Sequence, residues 1–175
     1  MNCDSIYVAA LIFFMHFVFL TTSHGRVFIP TDASLIENTC WRTPNHKLCI
    51  SSLKEDPRSR DADVTGLALI MVDVVKAKET ECAYRINHLL KQRPGDQSLS
   101  SCASQYDTVI DVLIPSVNQA LTLGNPKFAE DGMNGTAVEA ESCEDYFSGH
   151  SPMTDLNKAS EDVAAVAAAI VRILL

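Results

Sequence analysis

The sequence predicts an all-α fold, an antiparallel four-helix bundle with an N-terminal helical hairpin extension and two disulfides. Three observations lead there. Apolar residues recur at spacings of three and four over long segments, the pattern of helices with one buried face, and no strand-period segment of useful length interrupts them. The stretch from Cys102 to Cys143 divides at Gly124-Asn125-Pro126, with glycine suited to a helix end and proline to the first turn of the next helix, so it reads as two helices folded back on each other. A shorter bend, Thr43-Pro44-Asn45, lies between Cys40 and Cys49.

Residues 1–25 read as a secretory signal peptide. Ile6 to Leu20 is an uncharged apolar run followed by small and polar residues, with cleavage expected after Ser23 or Gly25. The departure from that pattern is that Met1 to Ser5 carry no Lys or Arg. A membrane anchor is the alternative, but the run is shorter than the ~18 to 20 residues that a spanning helix needs. Residues 26–175 then form one domain around a single core. The formal charge of the whole chain is −8, and with the leader removed 14 Lys and Arg face 21 Asp and Glu, a net −7. An acidic surface argues against nucleic acid or an anionic membrane as partner.

Arg26 to Asn38 gives a short helix with Pro30, Thr31 and Asp32 as its start and Leu35 and Ile36 as its apolar anchors. Cys40 and Cys49 are nine residues apart, which in one straight helix means ~13 Å, beyond the ~7 Å between alpha carbons that a disulfide permits. The proline bend brings them within reach, so they form the local pair. Of the three connectivities open to four cysteines, only this one, with Cys102 joined to Cys143, matches both bends. Asp56-Pro57 ends the second short helix, and Ser59 to Asp63 offer caps for the longest periodic segment. Leu67, Ile70, Met71, Val74, Val75, Cys82, Ile86, Leu89 and Leu90 line that helix, which stops before Pro94-Gly95. Cys82 falls on the apolar face and is expected to be a buried free thiol.

The next helix spans about Ser98 to Leu123, with Tyr106, Val109, Leu113, Val117, Ala120 and Leu121 inward and Pro115 expected to kink it. Its partner runs from Lys127 to Phe147 through Phe128, Met133, Val138 and Cys143. Each arm is about 20 residues, or ~30 Å, so the two cysteines meet at the open end and close a loop worth ~4 kcal/mol on the chain-entropy treatment. Asn134-Gly135-Thr136 is a candidate glycosylation sequon at Asn134, expected to go unused where the helix is continuous. After a linker from Ser148 to Met153, Thr154 or Asp155 caps the last helix, whose inward side is Leu156, Val163, Ala167, Ile170 and Leu174.

No catalytic constellation stands out. There is no Gly-x-Ser-x-Gly, His-Glu-x-x-His, phosphate-binding glycine loop or Cys-x-x-Cys, and the histidines of the mature region are scattered over a cap, a helix and a linker. Neither a metal nor a cofactor is expected. The acidic pairs Glu79 and Glu81, Glu139 and Glu141, and Glu144 and Asp145 read as surface charge rather than as an acid and a base.

The cysteine frame, with its neighbours, resembles the plant invertase and pectin methylesterase inhibitor family across the mature region. The residues that carry the likeness are Ile36-Glu37-Asn38-Thr39-Cys40, Cys49-Ile50-Ser51-Ser52-Leu53 with Asp56-Pro57 and Asp63, Cys102 with Tyr106, Cys143-Glu144-Asp145 with Phe147, and Ser151-Pro152-Met153-Thr154. The resemblance implies a secreted four-helix bundle with an N-terminal hairpin that inhibits an enzyme and is not one itself. Cys82 lies outside the family frame, and the further cysteine that many members carry in the last helix is missing.

Members that block acid invertases carry Pro-Lys-Phe between the third and fourth long helices, where this chain has Pro126-Lys127-Phe128. The resemblance therefore implies a target-binding site at Pro126, Lys127 and Phe128, an acid invertase as partner, and a place of action in the apoplast or cell wall, with the vacuole as the alternative. Two other functions stand beside it. One is inhibition of pectin methylesterase through helix faces; the other is a secreted helical protein that carries or stores small apolar ligands.

Overall fold

The computed structural model describes residues 32–175, and among these every regular element is helical. The leader, its cleavage point and Pro30-Thr31 lie outside the described residues. Two short helices, α1 (Asp32–Cys40) and α2 (His46–Glu55), form the N-terminal hairpin. Cys40 and Cys49 are bridged across its bend, with alpha carbons 5.5 Å apart. Asn45 caps α2 by accepting the Leu48 N–H at 3.1 Å. At the bend Trp41 stacks on His46, whose Nε2 meets Glu37 Oε1 at 3.0 Å.

A 3₁₀ turn, Pro57–Arg60, leads into α3 (Val64–Gln92), capped by Asp63 accepting the Gly66 N–H at 2.8 Å. The long return helix begins as α4 (Gln97–Thr108), passes through a π-helical segment at Val109–Leu113 and continues as α5 (Ile114–Thr122). The kink expected at Pro115 is thereby resolved. Proline has no N–H and crowds the carbonyl one turn back, and here the Ile114 N–H immediately before it reaches back to Val109 O, widening that turn. α6 (Pro126–Asp145) and α7 (Thr154–Arg172) complete the bundle and pack most extensively on each other.

Among the described residues the core has two clusters. The larger contains Leu67, Met71, Val75, Ile114, Val117, Leu121, Met133, Val166 and Ile170, and the hairpin residues Ile36, Cys40, Cys49 and Leu53 belong to it. The smaller surrounds the second staple with Cys82, Ile86, Leu99, Cys102, Tyr106, Cys143 and Met153. The Cys102–Cys143 bridge, with alpha carbons 4.8 Å apart, therefore lies at the end of the bundle opposite the α5–α6 turn. Cys82 is a buried free thiol, as its place on the apolar face implies, and burial pushes it up to about 12.

Three expectations need correction. Of the inward line expected for α6, Met133 and Cys143 are buried but Phe128 and Val138 are each 56 % exposed, because the helix turns Ala129, Glu130, Met133, Thr136, Ala140 and Cys143 inward, a stripe of mostly small residues. α7 has no side-chain cap from Thr154 or Asp155. Thr154 is instead the first residue of the helix and donates to Glu144 Oε1 at 2.7 Å. Nor are all the acidic pairs surface charge, since Glu79 has no exposed area and Glu144 is partly buried beneath the linker. Glu79 Oε1 accepts from Ser160 Oγ at 2.5 Å, while its Oε2 has no partner. Glu144 is raised by burial but held below its ordinary range by bonds from Thr154, Asn157 and the Ser151 N–H, and Asn157 in turn accepts from the buried Tyr106 hydroxyl at 2.8 Å.

Candidate functional site

The α5–α6 turn is fixed from both sides by backbone bonds. Gly124 has φ +72°, its N–H bonds to Leu121 O at 3.2 Å, and the Asn125 N–H bonds to Ala120 O at 2.8 Å. These two bonds close the end of α5 in a Schellman motif, which needs a residue of glycine's freedom at that point. Asn125 then opens α6, its side chain accepting the Phe128 N–H at 3.2 Å, and Pro126 occupies the first turn, where its missing N–H costs nothing. Loop conformation is consequently set before any partner arrives.

Pro126 is half-buried, whereas Lys127 and Phe128 are exposed, Phe128 by 56 %. The structure thus brings the three predicted residues together on one projecting turn. Leu123, just before Gly124 and 73 % exposed, is a second large apolar side chain there that the sequence reading did not single out.

The lysine is not a bare cation. Its Nζ donates to Asp131 Oδ1 at 2.8 Å and to Glu130 Oε2 at 3.3 Å, and these contacts, Asp131 first, raise its proton affinity. Glu130 is only 5 % exposed, and its other oxygen accepts from Arg172 Nε at 2.6 Å, in the last turn of α7. Arg172, then Lys127, hold the Glu130 carboxyl below its usual range, so it is ionised. The Lys127 to Glu130 and Asp131 spacings of three and four were open to sequence reasoning as helix-surface pairs. Arg172 was not, being 42 residues away.

Asn134 is exposed on an unbroken stretch of α6, and the Thr136 hydroxyl of its sequon is buried and donates to Gly132 O at 3.1 Å. This is the continuous helix in which the sequon is expected to go unused. Among the described residues no group of three or more His, Cys, Asp and Glu is placed to hold a metal, and no helix is long and apolar enough to cross a membrane.

An N-terminal hairpin and a disulfide-stapled helical bundle, with a lysine and exposed apolar side chains on the ordered α5–α6 turn, define the fold class of this chain. Residues 34–170 match the plant invertase/pectin methylesterase inhibitor family, and the chain belongs to that family. Its members are proteinaceous inhibitors and not enzymes. The chain is 40 % identical over 141 residues to the cell wall / vacuolar inhibitor of fructosidase 1 of Arabidopsis thaliana, covering 80 % of this chain and 69 % of that one. It is 27 % identical over 149 residues to a pectinesterase inhibitor of Actinidia deliciosa, covering 83 % and 78 %. Among solved structures, a mutant form of a pectin methylesterase inhibitor from Arabidopsis superposes with a TM-score of 0.66 at 17 % identity, covering 80 % of this chain and 97 % of that one. That last likeness speaks to the fold alone.

Proposed function

We propose that this protein is secreted after loss of residues 1–25 and inhibits an acid invertase in the apoplast or cell wall, or in the vacuole, by inserting Pro126-Lys127-Phe128 into the sucrose site. One observation carries the reading: a lysine stands on a turn whose backbone is fixed by a Schellman motif on one side and an asparagine cap on the other. The similarity to an inhibitor of fructosidase supports the choice of target.

Glycosidases work with a pair of carboxylates flanking the scissile bond. An ammonium delivered between them forms charge-assisted hydrogen bonds where the substrate's hydroxyls would bind. Phe128 covers the apolar face of a sugar subsite. Because the turn is already ordered, little conformational entropy is lost on docking, and a small loop is enough to block the site.

The test is to titrate purified acid invertase and pectin methylesterase with the protein and with Lys127→Ala and Phe128→Ala. Invertase inhibition should weaken by about 30-fold or more for Lys127→Ala, as expected when one member of a desolvated charge pair is removed, and by less for Phe128→Ala. Circular dichroism should stay unchanged, since both side chains are exposed at a turn. Inhibition of pectin methylesterase alone, or inhibition constants for Lys127→Ala and the parent within about twofold, overturns the reading.

A further inference from the structure

The two carboxylates on Lys127 differ in character. Glu130 is buried and cannot turn away, because Arg172 Nε holds one oxygen at 2.6 Å while Lys127 Nζ meets the other at 3.3 Å. That chain of contacts ties the first turn of α6 to the last turn of α7. Asp131 lies on the solvent side with its side chain 59 % exposed, and it makes the shorter bond to the ammonium, at 2.8 Å. Exposed pairs of this kind are weak and exchange readily, whereas the Glu130 carboxylate is itself covered and has both oxygens engaged, although the cations Lys127 and Arg172 that hold it are exposed. The four groups sum to zero charge, two cations against two anions.

We infer that Glu130, locked by Arg172, is the positioning residue that aims the Lys127 ammonium outward, and that Asp131 occupies the place a carboxylate of the target takes over on docking. The inference rests on the proposed entry of the tip into a site with paired carboxylates. On docking, the ammonium keeps Glu130 and exchanges Asp131 for the target's anion, so it is never without a counter-charge. Asp131 is also repelled by the carboxylates it approaches. It therefore acts as an internal competitor that weakens inhibition, and the spacing of three and four from Lys127 places guide and competitor side by side.

The experiment is a double-mutant cycle on invertase inhibition with Asp131→Asn, Arg172→Gln and Lys127→Met, read at low and high salt with melting temperatures alongside. Asp131→Asn should tighten inhibition by about three- to tenfold at low salt, with a smaller gain at high salt. Arg172→Gln should weaken it, chiefly through faster dissociation. Both effects should vanish in the Lys127→Met background, which a merely structural role for either residue would not produce. If Lys127→Met loses inhibition but Asp131→Asn changes nothing, or tightens equally in both backgrounds, the competitor is disproved and the invertase reading stands. If Arg172→Gln weakens inhibition equally in both backgrounds, the positioning role of Glu130 is disproved. If Lys127→Met inhibits as well as the parent, the entry of the tip itself is wrong and the inference falls with it.

Discussion

Replacing Glu79 by Gln should remove a pH dependence that the folded bundle carries in its core. The carboxyl has no exposed area, one oxygen accepts from Ser160, and the other has no partner. The neighbouring Lys78 ammonium gives little relief, because it is engaged by Glu81 at 2.6 Å. Burial pushes Glu79 from 4.5 up to about 7, against the opposing hydrogen bond from Ser160 and the charge of Lys78. Below pH 4.5 the group is protonated in both the folded and the unfolded chain, and it exacts no pH-dependent penalty.

Between 4.5 and about 7 the folded chain keeps the proton while the unfolded chain releases it, so each pH unit favours unfolding by about 1.4 kcal/mol. Stability therefore falls as pH rises through that window, by about 3 kcal/mol in all, and is level above it. Urea unfolding followed by circular dichroism at pH 4.5, 5.5, 6.5 and 7.5 reads this directly for the parent and Glu79→Gln. Surface titrations are common to both chains and cancel in the difference. The parent should lose about 3 kcal/mol relative to Glu79→Gln across the series. Parallel curves, within about 0.5 kcal/mol, would refute a buried carboxyl that stays protonated in the fold.

The staple and the helix contacts make further predictions. Cys102→Ser with Cys143→Ser opens a crosslink between residues 41 apart and should lower stability by ~4 kcal/mol, seen as a fall of roughly ten degrees or more in Tm; no change would mean the bridge is not formed. Gly132→Ala should destabilise by ~1 to 3 kcal/mol despite alanine's better helix propensity, because a Cβ there would lie 2.4 Å from Val117 Cγ2. Gly135→Ala, whose Cβ would meet only Leu113 at 3.7 Å, should instead stabilise by up to ~1 kcal/mol. Thermal melts of the two single variants decide the contrast, and a shift of the same sign in both would contradict the packing described for this helix pair.

The helices, both staples and the turn between α5 and α6 were legible because each rests on a local rule: apolar period, proline and glycine at ends, and the reach of a cysteine. What escaped depends on neighbours distant in sequence. Glu79 sits between Lys78 and Thr80 and looks solvated, yet α7 sets Ser160 against it and closes the space. Val138 fits the apolar line through Met133 and Cys143, yet the inward face around those two is completed by Ala129, Thr136 and Ala140, which let α7 come close. At the tip the motif residues are legible, and Glu130 and Asp131 stand at helix-pair spacing one turn further along. Only the folded chain reveals Arg172 as the other end of that contact.

The widened turn before Pro115 alters how the long return helix counts its residues. Inward positions run Leu99, Cys102, Tyr106 and Val109, then skip five to Ile114 before resuming at Val117 and Leu121. Remove one residue from the exposed side of that turn, Asp111 for example, and the intervals become three and four throughout. Everywhere else in the helix, a deletion would swing all that follows by about 100° and turn the buried stripe toward water. This turn is thus the one place where the arm can change length by a residue while its two halves keep facing the same neighbours, and Pro115 is what makes the extra residue worth keeping.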